Sequence, residues 1–319
     1  MKVSLAVQVY NGGAYWQQCW ESIVANLDIF DNVFVSISNS PKQKEDIALV
    51  ESLSSPKIHL LVHNDPFLSS VEHGKRLDFW LSSFDLEGHI FFFCHDDLLL
   101  REGLLELKNL EVTDEDAVFG PWLFFDDDGV KHPLTVRQFR REDGRPLSSQ
   151  EFGFLIDQQL YAINISGTVV PGSTITRQEF PWHLCTYGCR SEYLHVCNPQ
   201  IKRVYQLAAP AVKIRQHSNS EGSLMPAHKN RFDTILYLTR AFEVYNDSAT
   251  REFTTQSFSY ILRKAPLKGL ASLLRAEWVL LRSGYISAGT ACRLWGALFS
   301  SLTGKIFRRI AFAVRRKRG

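Results

Sequence analysis

The sequence predicts an α/β protein: a doubly wound, mostly parallel sheet followed by a helical, basic C-terminal extension. Three observations predict it. Short apolar runs alternate with amphipathic helical patterns from residue 3 to residue 100. The fourth apolar run, ending Phe91-Phe92-Phe93-Cys94, is cut by His95-Asp96-Asp97 and resumes as Leu98-Leu99-Leu100. Charge is divided unevenly, with 13 Lys+Arg and the single acid Glu277 in residues 262–319, leaving residues 1–261 with a net charge of −10. The division suggests a domain over residues 1–230 and an extension over 231–319, whose positive charge suits an anionic surface.

The elements follow in order. Val3 to Val9 reads as a first strand, closed by the turn Tyr10-Asn11-Gly12-Gly13. Tyr15 to Leu27 carries Trp16, Cys19, Trp20, Ile23 and Leu27 at helical spacing. Asn32 to Ser38 is a second strand, Glu45 to Leu53 a second helix, and Lys57 to Val62 a third strand. Ser69 to Phe84 is a third helix, and Ile90 to Phe93 a fourth strand apolar enough to be buried on both faces. Right-handed crossovers between parallel strands then put helices on both faces of the sheet. Further on, Ala117 to Phe125 and Val204 to Ile214 read as strands, and Leu147 to Leu160 and Tyr187 to Val196 as helices. The triplet Asp126-Asp127-Asp128 before Gly129 reads as a solvated hairpin turn, since the later ligands of a calcium loop are missing. The segment Ile163 to Thr176, rich in Ser, Gly and Thr, suits close approach of a ligand or another backbone.

Composition excludes several classes. Apolar content of 45% and charged content of 22% are those of a globular chain. Six cysteines lack the spacing of a zinc knuckle or a redox motif and read as free thiols. The start of the chain turns polar too soon for a secretion signal, and no apolar run is long enough to span a membrane. Neither a Gly-x-Gly-x-x-Gly turn nor a Walker loop follows the first strand.

The chemistry-bearing segment is Cys94-His95-Asp96-Asp97. Carboxyl ends of parallel strands are where open α/β sheets bind ligands. Two carboxylates and an imidazole there can hold a hard divalent cation and, through it, a phosphate. The alternative is structural: Asp96 or Asp97 caps a helix begun by the leucines.

Four segments together resemble the family 2 glycosyltransferases, which have the GT-A fold. They are Val3 to Gly12 with the helix bearing Cys19-Trp20-Glu21-Ser22-Ile23; the strand ending Ser38-Asn39-Ser40; Cys94-His95-Asp96-Asp97; and Arg190-Ser191-Glu192-Tyr193 followed by Arg215-Gln216-His217-x-x-Ser220. The resemblance covers residues 3–223 and is of the bacterial surface-polysaccharide type. It implies an inverting, metal-dependent hexosyl or deoxyhexosyl transfer from a nucleotide-sugar donor to a hydroxyl of a glycan, lipid-linked in O-antigen, capsule or lipopolysaccharide synthesis. Gln8, Tyr10, Asn11 and Ser38 would face the donor nucleotide, and Lys75, or Arg76 beside it, would reach its diphosphate. Asp96 would hold Mg2+ or Mn2+, with Asp97 and His217 as further metal contacts. In the family's Asp-x-Asp pattern, Cys94 takes the first position and Asp96 the second. Arg215 would pair with phosphate, and Glu192 would be the general base. A rival implication is a catalytically degenerate scaffold, since Cys94, Ser38 and Ser191 stand where acids are usual. A sugar-phosphate nucleotidyltransferase ranks lower, because no basic Gly-rich loop follows the first strand.

The extension carries Leu294, Leu298, Leu302, Ile306 and Ile310 at intervals of four, with Arg293, Lys305, Arg308 and Arg309 interspersed and Arg315-Arg316-Lys317-Arg318 at the end. Leu267, Leu270, Leu274, Trp278 and Leu281 suggest an earlier helix of the same kind. This is the composition of interfacial helices on an anionic leaflet, where each basic residue contributes roughly 1 kcal/mol. The expectation is a cytoplasmic protein, peripheral at the inner face of the cell membrane. Nucleic acid is not the expected partner, because no recognised module accompanies the charge.

Overall fold

The computed structural model describes residues 1–65, 70–126, 129–132, 145–149, 151, 165–177, 198, 200–217, 266–282 and 286–296. The chain divides into two compact units, Met1–Met225 and Pro226–Gly319.

In the first unit, strands β1 (Val3–Val9), β2 (Val33–Ile37), β3 (Ile58–Val62) and β4 (His89–Cys94) alternate with helices α1 (Gly13–Val24), α2 (Gln43–Glu51) and α3 (Ser70–Leu81). The four strands are parallel, in the order β3-β2-β1-β4. The order reverses between β1 and β4, so a crevice opens at their carboxyl ends. Gln8 pairs in register with Cys94, which sets the turn after β1 beside the Asp96-Asp97 segment. The core explains the alternation. Val3, Leu5, Val7 and Val9 of β1 are fully buried, as are Phe91 and Ile90 of β4. Trp16, Cys19, Trp20 and Ile23 form the buried face of α1, which packs on α2. The ring of Phe34 on β2 meets Trp80 and Phe84 edge-on, with centroids 5.6 and 4.9 Å away.

The sheet continues past β4 with β6 (Asp116–Phe119), β9 (Leu147–Ser148), β10 (Thr168–Pro171) and β11 (Arg203–Gln206), giving eight strands in the order β3-β2-β1-β4-β10-β6-β11-β9. Strand β10 runs antiparallel to both neighbours, β4 and β6, so only the first half of the sheet is uniformly parallel. Helix α5 (Gly172–Arg177) follows β10 and packs with α3, and helix α4 (Arg101–Asn109) follows β5 (Leu98–Leu99).

A second sheet holds β5, β7 (Trp122–Asp126), β8 (Gly129–His132) and β12 (Val212–Arg215), ordered β5-β12-β7-β8. Here the structure corrects the sequence reading. The expected strands Ala117 to Phe125 and Val204 to Ile214 are each two strands, broken at Gly120-Pro121 and at Leu207 to Ala211, and each crosses from one sheet to the other. Proline has no N–H to continue a ladder. The two breaks are stitched together by Leu207 N–H to the Phe119 carbonyl at 2.9 Å and Ala211 N–H to the Pro121 carbonyl at 3.3 Å. Glu106 of α4 accepts from the N–H groups of Ala208 and Ala209 at 2.8 Å each. A Cβ on Gly103 of α4 would lie 2.5 Å from the Pro210 carbonyl, so only glycine lets the helix approach this crossing. The helix expected from Leu147 begins instead as the short strand β9, paired with β11.

In the second unit, α6 spans Pro266–Arg282 and a further helix spans 288–296. No described helix is long and apolar enough to cross a membrane. The expected helix Tyr187 to Val196 and the tail beyond Gly296 lie outside the described residues.

Candidate active site at the carboxyl ends of β1 and β4

The helix-cap reading of the two aspartates fails. Leu98 and Leu99 form a strand on β12, α4 starts at Arg101, and Leu100 holds the N-cap position without a side-chain cap. Asp96 and Asp97 therefore lie in the turn between β4 and β5, where their environments diverge. Asp97 is 3% exposed. Its Oδ1 accepts the Arg215 backbone N–H at 2.8 Å, and its Oδ2 accepts the Ser166 hydroxyl. Ser166 in turn accepts the Cys94 N–H at 2.9 Å, which fastens the end of β4 to the turn before β10. Burial pushes the Asp97 carboxyl well above the usual range, and the Asp96 charge adds to this, while the Ser166 and Arg215 hydrogen bonds pull it back.

Asp96 turns the other way. Its Oδ2 lies 3.0 Å from His217 Nε2, joining residues far apart in sequence through the pairing of β12 with β5. The His217 ring packs on Tyr15 of α1 with centroids 5.2 Å apart. Single ligand atoms of Cys94, Asp96 and Asp97 lie within 4.8 Å of one another. The donor chemistry fits a hard or borderline divalent cation: carboxylate oxygen suits Mg2+ or Mn2+ and imidazole suits Mn2+, whereas the Cys94 thiol is a poor partner for Mg2+.

Arg215 is 5% exposed and braces this corner. Its guanidinium is sandwiched between Tyr15 and Phe125, 4.4 and 4.3 Å from the two ring centroids. Its Nε donates to the Asp96 carbonyl at 3.0 Å, and a terminal nitrogen donates to Gln18 of α1. Its place is thus beneath the aspartates, fixing their peptide.

On the β1 side, Tyr10 is 39% exposed, and Asn11 adopts a positive φ of 51°, with its N–H directed at Ser40 Oγ at 3.3 Å. A Cβ on Gly12 would lie 2.4 Å from Trp16 Cβ, so the tight entry into α1 requires glycine there. Helix α1 has no acid in its first turn and no side-chain cap of its own. Asp46 of α2, 1% exposed, supplies the acceptor: Oδ2 takes the Gly12 N–H at 3.1 Å and Oδ1 the Gly13 N–H at 3.0 Å. The first amides of α1 are spent on this carboxylate rather than left for a phosphate. Gln8 Nε2 is buried with no hydrogen-bond partner among the described residues, leaving an unspent donor at the end of β1. Burial lowers the affinity of His95 for a proton.

Ser38 is completely buried, and its Oγ lies 2.8 Å from His73 Nδ1. His73 Nε2 lies 2.9 Å from Ser36 Oγ, which lies 2.9 Å from His63 Nε2. Burial lowers His73 to about 3, so this chain of hydroxyls and imidazoles is neutral. Lys75 is exposed on α3, while Arg76 is drawn to Asp65 and to Glu72, the latter at 3.6 Å. Glu192 lies outside the described residues.

The structure thus brings Asp96, Asp97, His217, Gln8 and the Tyr10-Asn11 turn together at the carboxyl ends of β1 and β4. Sequence reasoning missed Asp46, Gln18, His63, His73 and the clamping role of Arg215. Ser166 fell within the segment singled out for close approach, and a search for buried hydroxyls there would have found it.

The arrangement of the sheet is that of a GT-A fold. No protein-family model matches the sequence, and no curated protein matches it. Solved structures do. The chain is similar to S. aureus TarS 1-349 in complex with UDP-GlcNAc, with TM-score 0.55 and 12% identity over 86% of this chain and 79% of that one. It is also similar to GalNAc-T7 with UDP, GalNAc and Mn2+, with TM-score 0.53 and 10% identity over 81% of this chain and 51% of that one. Against a longer TarS chain it spans only 50% of that chain's length. At such identities the likeness establishes the fold.

Proposed function

We propose that the protein is a metal-dependent glycosyltransferase that moves a hexosyl or deoxyhexosyl group from a nucleoside-diphosphate sugar to a glycan hydroxyl with inversion. The observation that carries this is the meeting of Asp96 with His217 at the switch point of a GT-A sheet, beside the unspent Gln8 donor. The solved structures similar in fold include one with UDP-GlcNAc and one with UDP and Mn2+, which supports the donor class.

In this reading Asp96 and His217, backed by Asp97, would hold Mg2+ or Mn2+. The cation, when bound, neutralises charge on the departing nucleoside diphosphate. Arg215 keeps the Asp96 carbonyl and Asp97 fixed so that Asp96 needs no reorganisation. Gln8, Tyr10 and Asn11 line the nucleotide side, and the neutral Ser38–His73 pair offers no carboxylate to the base. Lys75 stands as a point charge for the diphosphate. Glu192 takes the acceptor hydroxyl proton as its oxygen attacks the anomeric carbon. The acceptor is a lipid-linked glycan of a bacterial surface polysaccharide, met at the inner face of the cell membrane, with the basic extension as the anionic-surface contact.

Donor hydrolysis or transfer, measured with and without Mn2+ for the wild type and Asp96→Ala, tests the reading. Metal-stimulated turnover in the wild type that falls at least about hundredfold in the variant is expected. Equal background rates in both proteins would leave the degenerate-scaffold reading instead.

A further inference from the structure

Helix α6 presents a face that the proposed transfer chemistry does not use. Leu274 and Trp278, one helical turn apart, are 52% and 65% exposed. Arg275 and Arg282 are exposed beside them, and Ala271 completes the same arc. The opposite arc is inward: Leu280 is 2% and Glu277 3% exposed. Glu277, the single acid of residues 262–319, takes the indole N–H of Trp295 from the helix at 288–296. The outward face therefore combines an indole, an isobutyl group and two guanidinium groups.

We infer that this face of α6, through Leu274, Trp278, Arg275 and Arg282, docks on an anionic lipid bilayer. It deepens the membrane contact proposed above, and rests on that reading, by assigning it to a surface on α6 rather than to the end of the chain. The chemistry selects the occupant. Indole and leucine side chains enter the boundary between headgroups and acyl chains, where arginines meet lipid phosphates. A second copy is disfavoured, because a two-fold contact would crowd Arg275 and Arg282 of both copies into one interface. A wholly polar anion would leave the exposed indole without a partner.

The test is flotation of the full chain with phosphatidylglycerol–phosphatidylcholine vesicles and with phosphatidylcholine vesicles alone, without donor or acceptor, so that failure of catalysis does not enter. Binding to the anionic vesicles is expected. Arg275→Gln with Arg282→Gln should weaken it about thirtyfold, and Leu274→Ser with Trp278→Ser about tenfold, with unchanged circular dichroism. Acyl-brominated lipid should quench tryptophan fluorescence of the wild type, and less so of Trp278→Phe, which keeps the apolar contact. Unchanged binding in the paired variants, or quenching unaltered in Trp278→Phe, overturns the proposal. If deletion of residues 297–319 abolishes binding while the α6 variants retain it, the membrane reading stands and the α6 surface falls. If the wild type ignores anionic vesicles, both fall. A lower oligomeric mass of the lipid-free Trp278→Ser variant overturns it in favour of an interface between copies.

Discussion

Asp46 offers the sharpest check on how the Tyr10-Asn11 turn, proposed above to face the nucleotide, is held. It sits on α2, yet both its oxygens serve the first amides of α1, at 3.1 and 3.0 Å. Asp46 itself is 1% exposed and the Gly12 N–H it accepts is buried, while Gly13 is half-buried. In Asp46→Ala the Gly12 and Gly13 N–H groups lose their acceptors. The buried Gly12 donor costs about 1–3 kcal/mol when unsatisfied and the half-buried Gly13 donor less, so the variant should be about 1–4 kcal/mol less stable. Asp46→Asn keeps one acceptor oxygen and should lose about half as much. Urea unfolding followed by tryptophan fluorescence measures both. The turn also holds Asn11 at φ 51° and Gly13 at φ 51°, conformations that relax once the clamp is gone. Steady-state kinetics of Asp46→Asn should therefore show donor KM raised about tenfold with kcat nearly unchanged, because Asp96 and His217, the proposed metal contacts, lie on other elements. An unchanged urea midpoint in Asp46→Ala would refute the clamp. A fall in kcat at constant KM would refute its link to the nucleotide.

Other predictions follow from the same geometry. Arg215→Lys keeps a charge but cannot reach the Asp96 carbonyl and Gln18 together or stack between Tyr15 and Phe125; Mn2+ titration by calorimetry should show about 10–100-fold weaker binding. Glu192→Gln should lower kcat by about 10²–10⁴-fold while donor binding, measured by equilibrium dialysis, is retained. Glu277 is raised by burial to about 7 from an ordinary 4.5, so its protonated form favours the folded chain. That stability is complete below the ordinary value and lost as pH rises through about 7, on the order of 3 kcal/mol in all. Glu277→Gln should match the wild type near pH 4 and be more stable at pH 8 in urea unfolding; a variant with the wild-type pH slope would contradict this.

The first half of the fold was legible because each element declares itself locally. The boundaries of β1 to β4 and α1 to α3 follow apolar periodicity, and their order alone predicts a parallel sheet with its crevice beside β1. The second half was not. The runs Ala117 to Phe125 and Val204 to Ile214 stay apolar across their breaks, so periodicity reads each as one strand. What divides them is tertiary: the two crossings hydrogen-bond to each other and are held by Glu106 of α4. Asp46 was illegible for a similar reason. A carboxylate among Gln43, Lys44 and Glu45 reads as one more solvated group, and only the packing of α2 on α1 turns it inward. Ser38 could be placed at the strand end from sequence, but its partner His73 comes from a helix whose other polar residues look equally solvated.

The adjacent aspartates divide their labour because of the chain's path. As β4 turns into β5, Asp97 is directed into the protein, and burial there demands partners for both its oxygens. Those partners come from the turn before β10 and from β12, so satisfying Asp97 also fixes where β12 lies. Once β12 is fixed, the residue two beyond Arg215 must fall beside Asp96, and that residue is His217. The buried carboxylate thus builds the Asp96–His217 pair that, in the proposed reading, would meet a cation. In the proposed reading, with Cys94 at the first acid position, a cation on Asp96 would find its second ligand in His217, just past the end of β12, and Asp97 is the residue that fixes β12 there.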